Sequence, residues 1–205
     1  MKIIAINGNA LAGKDTFVGK VSHYTRVACI STIDPVKKFY ESIGWDGNKT
    51  AEDRKVLNII KRMWILGKIR IEDCNNPNEW VTLQCLKFER EGIDAVFIMV
   101  REFSEMMEIK EIGDTGFGGG ITLRIARDGL YVPPVELSFI ESHPQEYRYD
   151  FTIINPTTYD LSIPELECAA SMFLKEVIVH EGGTNLVWNP TAKKYEKNKF
   201  HFQVF

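Results

Sequence analysis

The sequence predicts a three-layer α/β fold built on a parallel, doubly wound sheet. Short runs rich in β-branched residues alternate along the chain with longer segments whose apolar residues recur at helical spacing. The run DAVFIMV at 94–100 is apolar almost throughout, which is typical of a strand buried on both faces. This alternation favours right-handed crossovers and parallel strands. With 205 residues, 44% of them hydrophobic, the chain can bury one sizeable core.

The first half of the predicted fold begins at residues 2–7, KIIAIN, a short β-branched run that closes on a glycine. Apolar residues at helical spacing then predict a helix from 14 to about 27. The run VACIST at 27–32 predicts the second strand. The helix expected over 34–44 opens on Asp-Pro and closes on Gly.

Two more helices are expected before the central strand. In TAEDRKVLNIIKRMWIL, at 50–66, Thr50 and Asp53 resemble a capping box with Asp in place of the usual Glu. A second helical pattern covers 76–92 and ends at a glycine. The helix over 50–66 carries one apolar stripe, formed by Val56, Leu57, Ile60, Met63 and Trp64.

The second half continues the alternation after the strand at 94–100. A short helix is expected over 104–113. The segment GDTGFGGG at 113–120 comes between a helix and a strand, and we interpret it as a flexible connection. The remaining elements are strands at 121–127 and 151–155 and a final helix over 164–180. The sheet is therefore expected to have five strands and to be mostly parallel.

Composition narrows the partners and the location. The net charge is −3 and no basic stripe spans the chain, which argues against duplex nucleic acid and favours a small-molecule ligand. The cysteines lack paired spacing, so we expect reduced thiols instead of a zinc site or a disulfide scaffold. No run reaches membrane length, so we expect a cytoplasmic protein that does not bind membranes. The cysteines are Cys29, Cys74, Cys85 and Cys168.

The composition changes near the C-terminus, which divides the chain into a domain over 1–183 and an extension over 184–205. Lysines stand beside aromatic residues in the extension, and KFHFQVF at 199–205 alternates as a strand does. We interpret the extension as a hairpin packed on the body or as a homodimer contact. Binding of single-stranded nucleic acid is the alternative.

A glycine loop, residues 8–16, joins the first strand to the first helix. In Gly8-x-x-x-x-Gly13-Lys14, the glycines let backbone N–H groups turn inward around a phosphate chain, at which the helix directs its positive end. Lys14 then supplies a point charge to the outer phosphates. The alternative is an ordinary glycine-containing turn. The residues expected to bind the polyphosphate are Gly8, Asn9, Ala10, Leu11, Ala12, Gly13, Lys14, Asp15 and Thr16.

The loop departs from the usual pattern directly after Lys14. A serine or threonine hydroxyl normally reaches magnesium from this position, whereas this chain has Asp15 there and Thr16 one place later. A carboxylate beside polyphosphate is repelled unless a metal, a lysine or a reacting hydroxyl lies between them. Asp15 is therefore expected either to contact magnesium through water or to position Lys14 and the acceptor. The alternative is a first-turn acid that complements the helix dipole.

Several stretches resemble one enzyme family in the same order along the chain. GNALAGKDT resembles the G-x-x-x-x-G-K-D-T loop of the deoxynucleoside monophosphate kinases of bacteriophage type, and more distantly the phosphomevalonate kinase loop. IDPVKKFY resembles the family's A-D-P-[LI]-K segment. FIMVREFSEM resembles its V-R-F-x-N-E segment, with Ser104 where asparagine is usual. ITLRIAR and YDFTIIN match its arginine-ended strand and its D-[YF]-x-I-x-N strand, so the resemblance covers residues 1 to about 180.

The resemblance implies a P-loop NTPase fold of the nucleoside-monophosphate-kinase type, with helical substrate-binding and lid insertions in the domain over 1–183. It implies transfer of the γ-phosphoryl group of ATP, with Mg²⁺, to a nucleoside or deoxynucleoside monophosphate. The alternatives are a phosphomevalonate-like or dephospho-coenzyme A-like acceptor, or a nucleotide-binding module without turnover. Since Asp94 begins its strand instead of ending it, magnesium is expected to be carried mainly by ATP phosphates and waters.

Arginines are expected to converge on the loop, because phosphoryl transfer mainly needs positioning and cations around the spreading charge. Arg101 follows the central strand and is expected to clamp the acceptor phosphate, unless it only pairs with Glu102 or Glu105. Arg127 is expected to act as a lid-type catalytic arginine with Arg124 in support at the substrate, and the alternative is a structural salt bridge. Both can point one way only if their strand ends between them.

The segment after strand two is expected to contribute to the acceptor site. Asp34 and Lys37 are candidates for holding the acceptor sugar and phosphate. For Asp34 the alternative is an ordinary helix cap, with Pro35 at the first helical position. Tyr131 and the prolines after it lie in the region expected to close over the substrates and exclude water.

Overall fold

Five parallel strands form the central sheet, in the spatial order β2-β3-β1-β4-β5. The structure is a computed structural model that describes residues 1–8, 11–48, 50–127, 149–155, 169–179, 186–189 and 194–197. The strands are β1 Lys2–Asn7, β2 Val27–Ser31, β3 Ala95–Met99, β4 Gly120–Arg127 and β5 Phe151–Asn155. The predicted α/β class and five-stranded sheet are confirmed, and every pairing within the sheet is parallel.

Helices cover both faces of the sheet and complete three layers. They are α1 Lys14–Val21, α2 Asp34–Ser42, α3 Ala51–Ile65, α4 Pro77–Arg90 and α5 Phe103–Gly116. Residues 169–179 are also helical, and Leu174–Val179 within them is a π-helix. One hydrophobic cluster joins α1 and 169–179 to one face, and a second joins α2 to α5 to the other face.

The central strand β3 contributes to both hydrophobic clusters. Residues 95–98 are fully buried. Phe97 faces α1, and its ring centroid lies 6.3 Å from that of Phe17 and 6.2 Å from that of Phe173. Ile98 belongs to the cluster on the opposite face. The apolar run at 94–100 therefore has the predicted cause, since helices cover both sides of this strand.

The chain leaves β1 and β3 on opposite faces of the sheet. It passes from β1 into α1 on one face and from β3 into α5 on the other. Because β1 and β3 are neighbours, a crevice is expected between their carboxyl ends, which is where open parallel sheets bind ligands. Gly8 follows β1 and Arg101 follows β3, so both positions lie at this edge.

Helix α1 is shorter than the sequence pattern predicts, since it ends at Val21 and not near residue 27. The main-chain nitrogens of His23 and Tyr24 donate to the oxygens of Lys20 and Val21. These bonds span three residues instead of four, which tightens and ends the helix. The turn leaves Val27 free to begin β2.

Helix α3 confirms the predicted capping box. Thr50 Oγ1 accepts from the Asp53 nitrogen at 3.2 Å, and Asp53 Oδ2 accepts from the Thr50 nitrogen at 3.0 Å. The predicted apolar stripe is too wide, because the Met63 side chain is 40% exposed. The buried members of the stripe are Leu57, Ile60 and Trp64.

The glycine-rich segment 113–120 is largely packed structure. Residues 113–116 belong to α5, so the expected flexible connection is wrong for this part. A Cβ at Gly113 would lie 2.5 Å from the Gly120 Cα, and a Cβ at Gly120 would lie 1.9 Å from the Lys110 oxygen. These glycines therefore permit close contact between the end of α5 and the start of β4.

The amino ends of β4 and β5 are joined to α5 through Asp150. Its Oδ2 accepts from Lys110 Nζ at 2.8 Å, from the Thr122 nitrogen at 2.9 Å and from Thr122 Oγ1 at 3.0 Å. The cluster lies at the opposite edge of the sheet from the crevice. The Lys110–Asp150 ion pair is thus separated from the ion pairs at the carboxyl edge.

Two short strands lie in the C-terminal extension. Leu186–Asn189, β6, pairs antiparallel with Lys194–Lys197, β7. The strand expected at 199–205 lies outside the described residues. Within the described ranges, no helix combines the length and the hydropathy needed to cross a bilayer.

Gly120→Ala is expected to lower the free energy of unfolding by about 1–3 kcal/mol, because the added methyl overlaps the Lys110 carbonyl. Urea denaturation followed by circular dichroism measures the change. Gly116→Ala is the matched control, since a Cβ there meets no described atom within 4 Å. The control should be neutral or stabilising by about 0.5–1 kcal/mol. Equal losses in the two variants would contradict the packing role of Gly120.

Candidate functional site

Gly8 begins the glycine loop where the chain leaves β1. Its φ is 149°, and a Cβ at this position would lie 2.1 Å from the main-chain oxygen of Ile125 in β4. Both the backbone conformation and the neighbouring strand therefore exclude a side chain. Glycine is therefore required at the first position of the predicted motif, because the loop turns directly against β4.

The second half of the loop leads into the N-terminus of α1. Gly13 is the N-cap in a left-handed conformation, φ 97° and ψ 20°, and no side chain within the described ranges caps the helix. The first-turn N–H groups lack intrahelical partners, which favours an anion at this end. Leu11 also has positive φ, 63°, and is 80% exposed, whereas Ala12 is buried. The expected ligands Asn9 and Ala10 lie outside the described residues.

The charged residues of the loop occupy the first turn of α1. Lys14 Nζ donates a hydrogen bond to the Gly8 carbonyl oxygen, so the ammonium folds back over the loop. Asp15 and Thr16 are exposed. Among the side chains that the structure describes, no group of three or more His, Cys, Asp and Glu residues could hold a metal ion.

Two carboxylates from separate helices lie near the thiol of Cys29 on β2. Burial of the sulfur, followed by the negative charges of Asp15 and Asp34, raises the pKa of this thiol to about 11. The residue nevertheless retains solvent access. The structure therefore brings Asp15 and Asp34 into one region beside the start of α1.

Asp34 and Lys37 form a local ion pair at the start of α2. Asp34 Oδ1 lies 2.7 Å from Lys37 Nζ, and Asp34 Oδ2 accepts from the Ser31 nitrogen at 3.1 Å. The interpretation of Asp34 as the cap is wrong by one position, since Ile33 is the N-cap and Asp34 is already helical. The carboxylate reaches back to the end of β2, where it also partly neutralises the lysine.

Arg101 lies at the carboxyl edge of the sheet, just after β3 and beside the expected crevice. The residue is exposed, and its main-chain nitrogen donates to Glu105 Oε2 at 3.4 Å. Its guanidinium forms no salt bridge with any side chain in the described ranges, so pairing with Glu102 or Glu105 is not seen. Arg101 therefore presents an exposed side chain just after β3.

Arg124 belongs to a second polar group at the same edge. It is paired in register with Asn7, and its guanidinium carbon lies 5.9 Å from the centre of the Tyr149 ring. Asn7 is buried, donates from Nδ2 to the Val100 oxygen at 2.9 Å, and accepts from the Tyr149 hydroxyl at 3.4 Å. Asn7 and Tyr149 were not among the predicted site residues, although each adjoins a predicted strand.

Arg124 and Arg127 can point the same way only if β4 ends between them, and this condition is not met. β4 continues through Arg127, so the strand does not end between the two arginines. The physical reason is that Arg127 still pairs in register with Asn155 of β5. The Arg127 side chain and the expected closing segment with Tyr131, Pro133 and Pro134 lie outside the described residues.

A buried ion pair beneath the crevice was not predicted. Lys61 Nζ of α3 lies 2.6 Å from Glu105 Oε1 of α5 and donates to Thr32 Oγ1 at 3.0 Å. The side chains of Lys61 and Glu105 are 14% and 10% exposed. The sequence offers little sign of Lys61, which is one lysine among many in the chain. Glu105 is predicted only as a possible partner of Arg101.

The comparisons with known proteins leave the family open. No family model matches the chain, and no curated protein matches it significantly. The class defined by the described structure is therefore an α/β protein with an all-parallel five-stranded sheet and a glycine loop at its carboxyl edge.

Alkylation of Cys29 by iodoacetamide is expected to be slow at about pH 8 and to accelerate toward about pH 11, because the thiolate is the reactive form. Asp15→Asn removes a nearby negative charge, so it should lower the thiol pKa and speed alkylation at fixed pH. Peptide mass spectrometry measures the rate. Glu91→Gln, at the exposed C-cap of α4, should leave the rate unaltered. An unchanged rate in Asp15→Asn would contradict the proximity of Asp15.

Proposed function

We propose that this chain transfers the γ-phosphoryl group of ATP to a nucleoside or deoxynucleoside monophosphate. The glycine loop carries the proposal, because Gly8 is pressed against β4 and the left-handed Gly13 opens a helix that no described side chain caps. A strand, this loop and a helix, in that order, are the context in which Gly-x-x-x-x-Gly-Lys binds polyphosphate. The same features support a P-loop fold of the nucleoside-monophosphate-kinase type.

Lys14 is the proposed cation of the ATP site. Its ammonium already lies over the loop, in contact with the Gly8 carbonyl. A polyphosphate bound along the loop would offer stronger, charged acceptors at the same place. Lys14 would then neutralise the outer phosphates while the N-terminus of α1 stabilises the same negative charge.

Arg101 is the proposed cation of the acceptor site. β1 and β3 are neighbours, so Arg101 and the glycine loop lie on the two sides of one crevice. The exposed guanidinium is suited to a two-point contact with a phosphate. Arg124 of β4, which pairs in register with Asn7 and lies near the Tyr149 ring, is proposed to support the acceptor from the adjoining strand.

The proposed reaction asks mainly for positioning by the protein. An oxygen of the acceptor phosphate attacks the γ-phosphorus, the bond to the bridging oxygen breaks, and ADP leaves with that electron pair. Lys14 and Arg101 hold the two phosphates in line and offset their charge. When bound with ATP, magnesium neutralises charge on the outer phosphates, and Asp15 would hold it through water.

A panel of monophosphates tests the proposal directly. ADP release should depend on a nucleoside or deoxynucleoside monophosphate and on magnesium. Turnover with an isoprenoid phosphate or with dephospho-coenzyme A alone would replace the acceptor and retain the fold. ATP binding without acceptor-dependent turnover would instead favour a nucleotide-binding module. Failure to bind ATP in a calorimeter would remove the basis of the proposal.

Lys14→Ala is expected to reduce kcat/KM by about 10²-fold or more, because it removes a cation at the charge that develops in transfer. The melting temperature should change little, since Lys14 lies in the first turn of α1 and is not part of the hydrophobic clusters. Lys20→Ala, in the last turn of the same helix, is the control and should retain activity. Equal activity in the two variants would exclude Lys14 from the reaction.

Arg101→Ala is expected to raise the KM for the acceptor by about tenfold or more while the KM for ATP stays near its original value. The reason is the loss of a charged contact to the acceptor phosphate alone. Arg90→Ala, at the exposed end of α4, is the control arginine. An unchanged acceptor KM in Arg101→Ala would place Arg101 outside the site.

A further inference from the structure

The Lys61–Glu105 ion pair is costly to bury and calls for a functional reason. Two charges removed from water lose hydration, and buried pairs can often be replaced by apolar residues without loss of stability. The pair is nevertheless well formed, at 2.6 Å, with Thr32 as a further acceptor at 3.0 Å. Stability alone therefore gives a weak account of it.

The position of the pair connects three elements at the carboxyl edge of the sheet. Thr32 directly follows β2, Lys61 belongs to α3, and Glu105 lies in the first turn of α5. Glu105 divides its carboxylate between two donors, with Oε1 on Lys61 and Oε2 on the main-chain nitrogen of Arg101. Lys61 is thus linked to the backbone of Arg101 through one shared carboxylate.

We propose that the Lys61–Glu105 pair positions Arg101 for the acceptor phosphate. Glu105 fixes the backbone from which the Arg101 side chain projects, and Lys61 fixes Glu105. The carboxylate also lies at the N-terminus of α5, where the helix dipole favours it. Lys61 and Glu105 are positioning residues, since they act through Arg101. This inference rests on the proposed function, in which Arg101 contacts the acceptor.

Replacement of Lys61 should change the position of Arg101 for an electrostatic reason. Without the ammonium, Glu105 is a buried carboxylate that retains, within the described ranges, one long hydrogen bond, to the Arg101 nitrogen. It would turn toward water to regain hydration. This movement loosens residues 100–103 and removes the fixed direction of the guanidinium.

Lys61→Met and Lys110→Met make the same chemical change in two ion pairs. The Lys110–Asp150 pair, at 2.8 Å, joins α5 to the amino edge of the sheet, away from the crevice. Lys61→Met should weaken the binding of a nucleoside monophosphate, measured by calorimetry without ATP, by about tenfold. Lys110→Met should leave this affinity unchanged. An equal affinity in Lys61→Met and the wild type would overturn the proposal.

A double-mutant cycle separates positioning from general structural support. In an Arg101→Ala background, Lys61→Met should cause no further loss of acceptor affinity, because the pair acts through the missing guanidinium. Additive losses would overturn the proposal. If Lys61→Met does not fold, Glu105→Gln serves instead, since Lys61 and the Arg101 nitrogen use different oxygens of Glu105 and glutamine replaces one of them with an NH2 group that cannot accept. Wild-type acceptor affinity in Glu105→Gln would likewise count against it.

The same measurements distinguish this inference from the proposed function. Acceptor binding without ADP release in the wild type would refute the kinase, while the affinities of the variants would still decide the role of the pair. Turnover in the wild type with an unchanged acceptor KM in Lys61→Met would refute the inference alone. If the wild type binds no monophosphate at all, both fail.

Discussion

The close contact between Gly8 and β4 constrains the path of the glycine loop and the start of α1. The Ile125 oxygen occupies the place where a side chain on residue 8 would begin, so the chain must turn against the sheet. β1 has β3 on one side and β4 on the other, and this turn therefore fixes the start of α1 relative to both. The direction of the Gly13 cap and the contact between Lys14 and the Gly8 carbonyl follow from it.

Helices α1 and α5, which follow the central strands β1 and β3, contribute to the proposed site in different ways. α1 lies on one face and brings Lys14, whereas α5 lies on the other and holds the segment that carries Arg101. Under the proposed function, Lys14 and Arg101 would reach the two phosphates from different layers of the fold. The insertion between β2 and β3 then adds Lys61 from beneath, so that three elements meet at one edge of the sheet.

The parts of the structure that depend on neighbours in sequence could be predicted. The strand β1, the glycine motif and the Thr50–Asp53 capping box each follow from a local pattern. The contacts that depend on tertiary packing could not. The sequence around Lys61 does not indicate that its partner is Glu105, which lies far along the chain. The early end of α1 and the continuation of β4 through Arg127 depend on hydrogen bonds, and the spacing of apolar residues does not predict them.

The elevated pKa of the Cys29 thiol affects how readily this part of the protein is oxidised. Peroxide attacks the thiolate form of cysteine, and a pKa of about 11 leaves very little thiolate at neutral pH. Desolvation of the sulfur, followed by the negative charges of Asp15 and Asp34, therefore protects this thiol from oxidation. A cysteine can therefore occupy the edge strand β2, near the start of α1, without becoming a ready target of oxidation.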